Sequence, residues 1–239
     1  TVLEWLIDKN IDVLALQEIK CEDQNFPYEK FEEKGYFSEV VGQKSYNGVG
    51  IISKMPIKIK NKSLPFSEEE NNQARYLEAE IDGFNFASIY LPNGNPINTP
   101  KFEYKIMWMK CLIQHTKNLL KNESPIILAG DFNVIPEDRD CWEPSLWIDD
   151  ALAIKEIRAL FRTLKYIGYH DSFRILNPQA VEWSFWDYQG GAWNKDNGIR
   201  IDHLLMNSFA IDKLKKCNID KSPRGKNKPS DHVPIWCEF

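Results

Sequence analysis

Short apolar runs that end in polar residues recur along this chain, and they restrict the folds that it can adopt. Residues 125–136 read PIILAGDFNVIP, in which four apolar residues lead into Gly130 and then into Asp131 and Asn133. A run of four to eight apolar residues bounded by turn residues is typical of a buried strand. The stretch 75–81 instead alternates between apolar and polar residues, as a half-buried strand does. The predicted strands are 11–17, 48–53, 75–81, 84–91, 125–130, 183–187, 199–206 and 233–239.

Helical spacing of apolar residues marks the stretches between these strands. Helices are predicted over 2–10, 101–122 and 151–167, the second of them bracketed by Pro100 and Pro125. Clusters of strands with a few intervening helices predict α/β layers around mixed sheets. Because the 239 residues contain no low-complexity linker, we expect a single domain over 1–239.

The composition argues against several classes of protein. With 43% apolar and 13% aromatic residues, the chain is typical of soluble globular proteins, and no apolar run is long enough to cross a bilayer. Its five cysteines form an odd set without a CxxC pair, which argues against a disulfide scaffold or a structural zinc site. This cysteine usage favours a reducing, intracellular compartment.

The charge distribution leaves two interpretations open. A formal net charge of −5 disfavours binding to a polyanion, but charge acts locally. The stretch 213–228 carries lysines and arginine with Asp220 as the opposing charge, and such a patch can contact a phosphate backbone. A solvated lysine-rich loop explains the same residues equally well.

Polar side chains follow several of the predicted strands, at the point where each strand ends. Ligand groups in layered α/β proteins cluster where strand ends open into loops. Residues i and i+2 of a strand point to the same face, so Asp131 and Asn133 could address one ligand together. The residues at these ends are Glu18, Tyr90, Asn93, Asp131, Asn133, Asp202, Asp231 and His232.

Each of these residues has a simpler explanation when it is taken alone. Asp131 and Asn133 follow a glycine and are ordinary turn residues. Glu18 could be a solvated charge at a strand end, His232 a structural histidine, and Tyr90 a packed aromatic residue before a turn. The combination is more informative than any single member.

Seven motifs, in order and at family spacing along nearly the whole chain, resemble the exonuclease III family of apurinic/apyrimidinic (AP) endonucleases. This family lies within the endonuclease/exonuclease/phosphatase superfamily. The resemblance implies a four-layer α/β sandwich of two packed mixed β-sheets flanked by helices, with the active site at one end. The motifs are LALQEIK (14–20), NGVGIIS (47–53), IYLPNG (89–94), LAGDFNV (128–134), WSFWDYQGGAW (183–193), GIRIDH (198–203) and PSDHVPI (229–235).

The resemblance also implies roles for the residues at the strand ends. Mg²⁺ would be held by Glu18 and Asp231, with Mn²⁺ as a substitute, since both ions accept carboxylate oxygens. Asp131, with Asn133 beside it, would orient or deprotonate the attacking water. His232, held by Asp202, would donate to the scissile phosphate. The remaining two residues, Tyr90 and Asn93, would contact the phosphate or order the network.

Substrate choice is implied by further matching positions. Phe185, Trp186 and Ile199 match residues that line a pocket for a flipped abasic sugar, and Tyr46 and Arg75 match positions that touch the DNA backbone. A small apolar pocket accepts a sugar without a base, and extrusion costs least where pairing is already lost. The implied reaction is hydrolysis of the phosphodiester 5′ to an abasic site in duplex DNA, together with 3′-end trimming and 3′→5′ exonuclease activity. We expect a monomer that acts on double-stranded DNA with abasic or 3′-blocked sites. We expect it in the cytoplasm of a bacterium, at the nucleoid, and we expect no membrane partner.

One departure from the family pattern lies at the start of the chain. The family's first strand, which carries an asparagine of the metal and phosphate site, would precede Thr1, so we expect this sequence to be a fragment of a longer protein. A sheet would then lack one central strand. The alternatives are a nonspecific nuclease, a phosphatase of inositol phosphates or sphingolipids, and a catalytically impaired fragment that only binds DNA. WSFWDY and GIRIDH argue against the first two.

Overall fold

The computed structural model describes residues 2–65 and 73–239. Within these ranges, helices and strands follow one another along the chain in the mixed order that the sequence predicts. The helices are α1 Val2–Asp8, α2 Tyr28–Glu32, α3 Pro100–Leu119, α4 Lys155–Tyr166, α5 Ser172–Leu176, α6 Ala192–Lys195 and α7 Ser208–Ile211. The strands are β1 Val13–Gln17, β2 Phe37–Val41, β3 Val49–Ser53, β4 Lys58–Asn61, β5 Tyr76–Ile81, β6 Phe84–Tyr90, β7 Ile126–Asp131, β8 His170–Asp171, β9 Asp202–Met206, β10 Lys216–Ile219 and β11 Ile235–Glu238.

The strands form one large and two small sheets. The large sheet has the order β4-β5-β6-β7-β9-β8 and is mixed, because β6 and β7 run parallel and their other neighbours antiparallel. A three-stranded sheet has the order β1-β3-β2, and β10 pairs with β11. Between the last two sheets the described residues form no strand pairing, and β1 and β11 are edge strands.

Alternate side chains of the central strands build the layers. On β3, Ile51 packs with β5, β7 and β9 between the two sheets, whereas Ile52 packs under α1 and α2. On β7, Ile127 faces the space between the sheets and Leu128 faces α3 and α4. A strand with both faces buried must be apolar throughout, as β3 and β7 are. The resulting order of helices, sheet, sheet and helices confirms the predicted four-layer sandwich.

Two predicted elements differ from the structure. Residues 183–187 form only isolated bridges, because the backbone N–H groups of Ser184 and Phe185 both donate to the carbonyl of Ile199, and that of Trp186 turns to Asp231. The helix predicted over 151–167 begins at Lys155, since Leu152 and its neighbours instead pack in a small apolar cluster.

No helix in the described ranges is long and apolar enough to cross a membrane. Among the described residues, which include all five cysteines, no disulfide is formed.

Candidate active site

The register of three neighbouring strands brings three predicted site residues together at one end of these strands in the large sheet. Tyr90, the last residue of β6, lies opposite Asp131, the last residue of the parallel strand β7. Asp131 in turn lies opposite Asp202, the first residue of the antiparallel strand β9. Strand ends that are aligned in this way place a hydroxyl and two carboxylates side by side.

Asp131 and Asn133 are fixed by hydrogen bonds across the turn that follows β7. The Asn133 backbone N–H donates to Asp131 Oδ1 (2.8 Å), and its Nδ2 donates to Asp131 Oδ2 (3.0 Å). Asn93 Nδ2 donates to Asn133 Oδ1 (3.1 Å), which joins the loop after β6 to the same network. Burial raises the pKa of Asp131 to about 7, so this carboxyl group can both accept and release a proton near neutral pH.

Gly130 explains why this strand can end so close to its neighbour. Its φ of +143° is unfavourable for other residues, and a Cβ there would lie 2.1 Å from the carbonyl oxygen of Ile89. The residue before Asp131 must therefore be a glycine.

His232 is positioned by Asp202. The two side chains are 2.8 Å apart, from Nδ1 to Oδ2, and the imidazole ring packs edge-on against Phe185. Burial alone would lower the pKa of His232, but the charge and hydrogen bond of Asp202 outweigh it and raise the pKa to about 10. His232 is therefore an imidazolium at neutral pH, and its Nδ1–H donates to Asp202.

Glu18 follows β1, and its carboxylate accepts hydrogen bonds from two side chains. Tyr90 Oη donates to Oε1 (2.5 Å), and Lys20 Nζ lies 2.6 Å from Oε2. Burial opposes ionisation of Glu18, but these two hydrogen bonds lower its pKa, so the side chain is a carboxylate. Burial and the hydrogen bond to Glu18 raise the pKa of Tyr90, so its hydroxyl remains a donor.

These groups surround one cavity of about 260 Å³ at the end of the sheets. One side carries carboxylate, amide and imidazole groups, and the other carries apolar side chains. The predicted site residues that line it are Glu18, Tyr90, Asn93, Asp131, Asn133, Phe185, Ile199, Asp231 and His232.

Comparisons with known proteins show the family to which this chain belongs. Residues 1–232 match the sequence profile of the Endonuclease/Exonuclease/phosphatase family.

This chain belongs to that family.

Three relatives illustrate how fully the family match extends. Exodeoxyribonuclease III of Haemophilus influenzae is 33% identical over 250 residues, which span 99% of this chain and 93% of that protein. The AP endonuclease of Archaeoglobus fulgidus has a TM-score of 0.95 at 30% identity, over 100% of this chain and 92% of that chain. A 3′ phosphatase from Neisseria, bound to a product DNA hairpin, has a TM-score of 0.96 at 31% identity, over 100% of this chain and 92% of that chain. These matches confirm the resemblance to exonuclease III drawn from the motifs.

Four residues predicted for the family site lie outside the cavity lining. Asp202 lies behind His232 and acts on it. Arg75 donates to the carbonyl of Tyr90 (3.2 Å), and its guanidinium lies over the Tyr90 ring. Tyr46 is an exposed surface residue. Trp186 is fully buried and donates from its indole N–H to Asp196, because residues 183–187 do not continue as a strand.

The cavity also contains residues that sequence reasoning missed. Ile199 was predicted from the family resemblance, and Ile201, two positions later, could have been inferred from it by the alternation of an extended segment. Trp147 and Leu152 enter from the segment between β7 and α4, where the sequence shows no motif. Asn95 and Asp187 complete the lining. Outside it, Ser184 Oγ accepts the backbone N–H groups of Ile201 and Asp202 and so fixes the start of β9.

The donor set suits a hard divalent cation. In the described part of the chain, no group of three or more His, Cys, Asp or Glu side chains could enclose a metal. Mg²⁺ does not require such a cage, because it binds one or two carboxylates and keeps waters and substrate oxygens as its other ligands. The hydrogen bonds from Lys20 and Tyr90 lower the pKa of Glu18, so its carboxylate is ionised and can act as an oxygen ligand. Oxygen donors from Glu18 and Asp231 therefore fit the metal-dependent chemistry of the family.

Proposed function

We propose that this chain is a DNA repair nuclease that hydrolyses the phosphodiester 5′ to an abasic site in duplex DNA and also trims 3′ ends. The observation that carries the proposal is that Glu18, Asp131 and His232 line the same cavity. Hydrolysis of a phosphodiester requires an activated water and stabilisation of the added negative charge. These three residues supply groups for both requirements.

Asp131 orients the attacking water and accepts its proton. A general base works best when its pKa is near the operating pH, and burial brings the pKa of Asp131 to about 7. Asn133 holds both carboxylate oxygens of Asp131 and so fixes the direction in which it acts.

His232 stabilises the phosphate as negative charge develops on it. Its Nδ1–H is committed to Asp202, so Nε2–H is the donor that faces substrate. A preorganised charged donor in a partly buried site stabilises developing charge more than water does. Tyr90 and Asn93 extend the same polar wall of the cavity.

Mg²⁺ is the cation that the oxygen donors favour, with Mn²⁺ as a substitute. Glu18 and Asp231 would hold it. When bound, the ion supplies Lewis-acid stabilisation of the phosphate and of the 3′-oxygen that leaves.

The apolar wall of the cavity favours a sugar without a base. Phe185 and Ile199, as predicted, lie there with Ile201, Leu152 and Trp147. An apolar wall suits a deoxyribose that has lost its polar base, and extrusion of such a residue costs least because its pairing is already lost. Arg75 and Tyr46 are proposed to contact the DNA backbone.

A comparison of substrates tests the proposal. Purified protein with Mg²⁺ is given matched duplexes that carry a tetrahydrofuran abasic analogue, an intact nucleotide, or a nick with a 3′-phosphate, and separately a phospholipid. We expect rapid incision at the abasic analogue, release of phosphate from the 3′ end, slow attack on the intact duplex and none on the lipid. Equal rates on intact and abasic duplex would contradict the proposal and favour a nonspecific nuclease. Binding of abasic DNA without incision at any Mg²⁺ concentration would favour a DNA-binding fragment.

A 3′-phosphatase is the second candidate function. A Neisseria protein described as a 3′ phosphatase is among the similar structures, at 31% identity. Release of phosphate from the nicked duplex without incision of the abasic duplex would favour this second candidate.

A further inference from the structure

A buried lysine lies directly beneath the candidate active site. Lys105, in the first half of α3, is completely buried. Its Nζ donates to the backbone carbonyl of Asn93 (3.0 Å) and to that of Asn133 (2.6 Å). Burying an amino group costs free energy unless its hydrogen bonds are made, so these contacts are strongly favoured.

The two carbonyls belong to different segments of the site. Asn93 is on the loop that follows β6, and Asn133 is on the turn that follows β7. Their side chains meet above the lysine, where Asn93 Nδ2 donates to Asn133 Oδ1. Burial lowers the pKa of Lys105 to about 7, and the amino group has enough N–H donors for both carbonyls with or without its charge. One side-chain amino group therefore ties together the backbones of two residues whose side chains line the cavity.

Two features of the backbone show how closely the loops rest on this lysine. A Cβ added at Gly94, which has a φ of +84°, would lie 2.6 Å from Lys105 Cδ. Asn133 has a φ of +47°, a left-handed conformation that asparagine adopts more readily than most residues and that local hydrogen bonds still support. The hydrogen bond from Lys105 to the carbonyl of Asn133 provides such support.

We propose that Lys105 is a positioning residue for the hydrolysis, which holds Asn93 and Asn133 so that Asp131 and the phosphate contacts keep their mutual geometry. The proposal rests on the proposed function, since it concerns the same cavity. Lys105 lies under the backbone and does not line the cavity, so its effect on the reaction passes through the two asparagines.

Replacement of Lys105 by methionine tests the role, because it retains an unbranched apolar stem and removes the donors. A misplacement of about 1 Å in a site of this kind costs about 100-fold in rate. We therefore expect kcat on the abasic duplex to fall by about that factor, while KM changes less than about threefold. The side-chain amide signals of Asn93 and Asn133 in ¹H–¹⁵N spectra should shift in the same variant.

Thr116→Val is the matched control on the same helix. Thr116 is also fully buried, but its hydroxyl donates to Leu112 and Ile113 within α3 and not to the site. The control should lower the melting temperature and leave kcat and the two amide signals unchanged. Lys105→Gln keeps a donor in its side-chain NH2 group and should give an intermediate kcat. If the methionine variant does not fold, the kcat of Lys105→Gln tests whether Lys105 positions the site.

Several outcomes would overturn the proposal. They are a kcat of Lys105→Met within about twofold of wild type, unshifted asparagine amides, an equal loss in the Thr116→Val control, or failure of both lysine variants to fold. If wild-type protein does not cut DNA at all, the proposed function fails. The amide spectra then still report whether Lys105 positions the two asparagines.

Discussion

Asp202 Oδ2 and His232 Nδ1 lie 2.8 Å apart, although the two residues are 30 positions apart in the chain. Asp202 is the first residue of β9, an interior strand of the large sheet, and His232 belongs to the loop before β11. The contact fixes which ring nitrogen faces the cavity and keeps the imidazole protonated. The first two predictions follow from it.

Replacing His232 with alanine should lower kcat for abasic-site incision by about 10²- to 10³-fold, because a charged donor to the phosphate is lost. Incision of the tetrahydrofuran duplex, with circular dichroism to verify folding, provides the measurement. His170→Ala removes an exposed histidine outside the cavity and should be neutral. Full activity of the His232 variant would refute its role.

Asp202→Asn should change the dependence of kcat on pH. In wild type the pKa of His232 is about 10, so the donor is present below that value and is lost as pH rises through it. Without the Asp202 charge the pKa falls toward the ordinary value of about 6.5 or below. The alkaline limb of kcat, measured with the alkali-stable tetrahydrofuran duplex, should therefore move down in pH. If the alkaline limb stays at the same pH in Asp202→Asn, ionisation of His232 does not cause the loss of activity at high pH.

Glu18→Gln should raise the Mg²⁺ concentration needed for half-maximal kcat at least about tenfold, since a neutral amide binds the ion more weakly than a carboxylate does. Titrations with Mg²⁺ and Mn²⁺ after treatment with EDTA provide the measurement. Glu80→Gln is the control, because Glu80 pairs with Lys60 on the surface of β5. Identical titrations for wild type and Glu18→Gln would exclude Glu18 as a metal ligand.

Phe185→Ala should weaken the preference for abasic over intact duplex by about tenfold, as expected for the loss of one apolar contact in a selective pocket. The ratio of kcat/KM on the two duplexes measures this preference. Phe37→Ala alters an exposed phenylalanine on β2 and should leave the ratio unchanged. A preference that survives in Phe185→Ala would locate selectivity elsewhere.

Asp171 should make the fold sensitive to acid. Although burial opposes it, the charge of Arg200 lowers the pKa of Asp171 to about 2, against 3.8 for an ordinary aspartate. Its ionised form thus contributes about 2 kcal/mol to the free energy of unfolding above about pH 4, which is lost as pH falls through about 2. The difference in stability between wild type and Asp171→Asn should shrink over that range in urea titrations. Asp12→Asn, at an exposed carboxylate that pairs with Lys54 on the surface, is the control for a change of one charge.

The strand ends were predictable from sequence because a strand that is buried on both faces is a continuous run of apolar residues. Ile126–Asp131 is such a strand, and its polar terminus indicated the site directly. The edge strands Lys58–Asn61 and Lys216–Ile219 were not predicted, since their exposed faces carry lysine and asparagine and give no apolar run.

The residues that sequence reasoning missed act through contacts between distant segments. Lys105 is one of many lysines in the sequence, and only the packing of α3 beneath two loops gives it partners. Trp186 follows Phe185 in an aromatic cluster, yet a change in backbone direction buries one and leaves the other at the cavity. Local patterns do not record such placements.

The alignment of Tyr90, Asp131 and Asp202 across β6, β7 and β9 has a consequence for folding. Together with Glu18 and His232, these residues come from segments that span nearly the whole chain. Pairing of segments so distant in sequence is slow, because the entropy of closing long loops must be lost first. In a refolding experiment, catalytic activity would thus return after the helical signal, which makes turnover a measure of complete assembly.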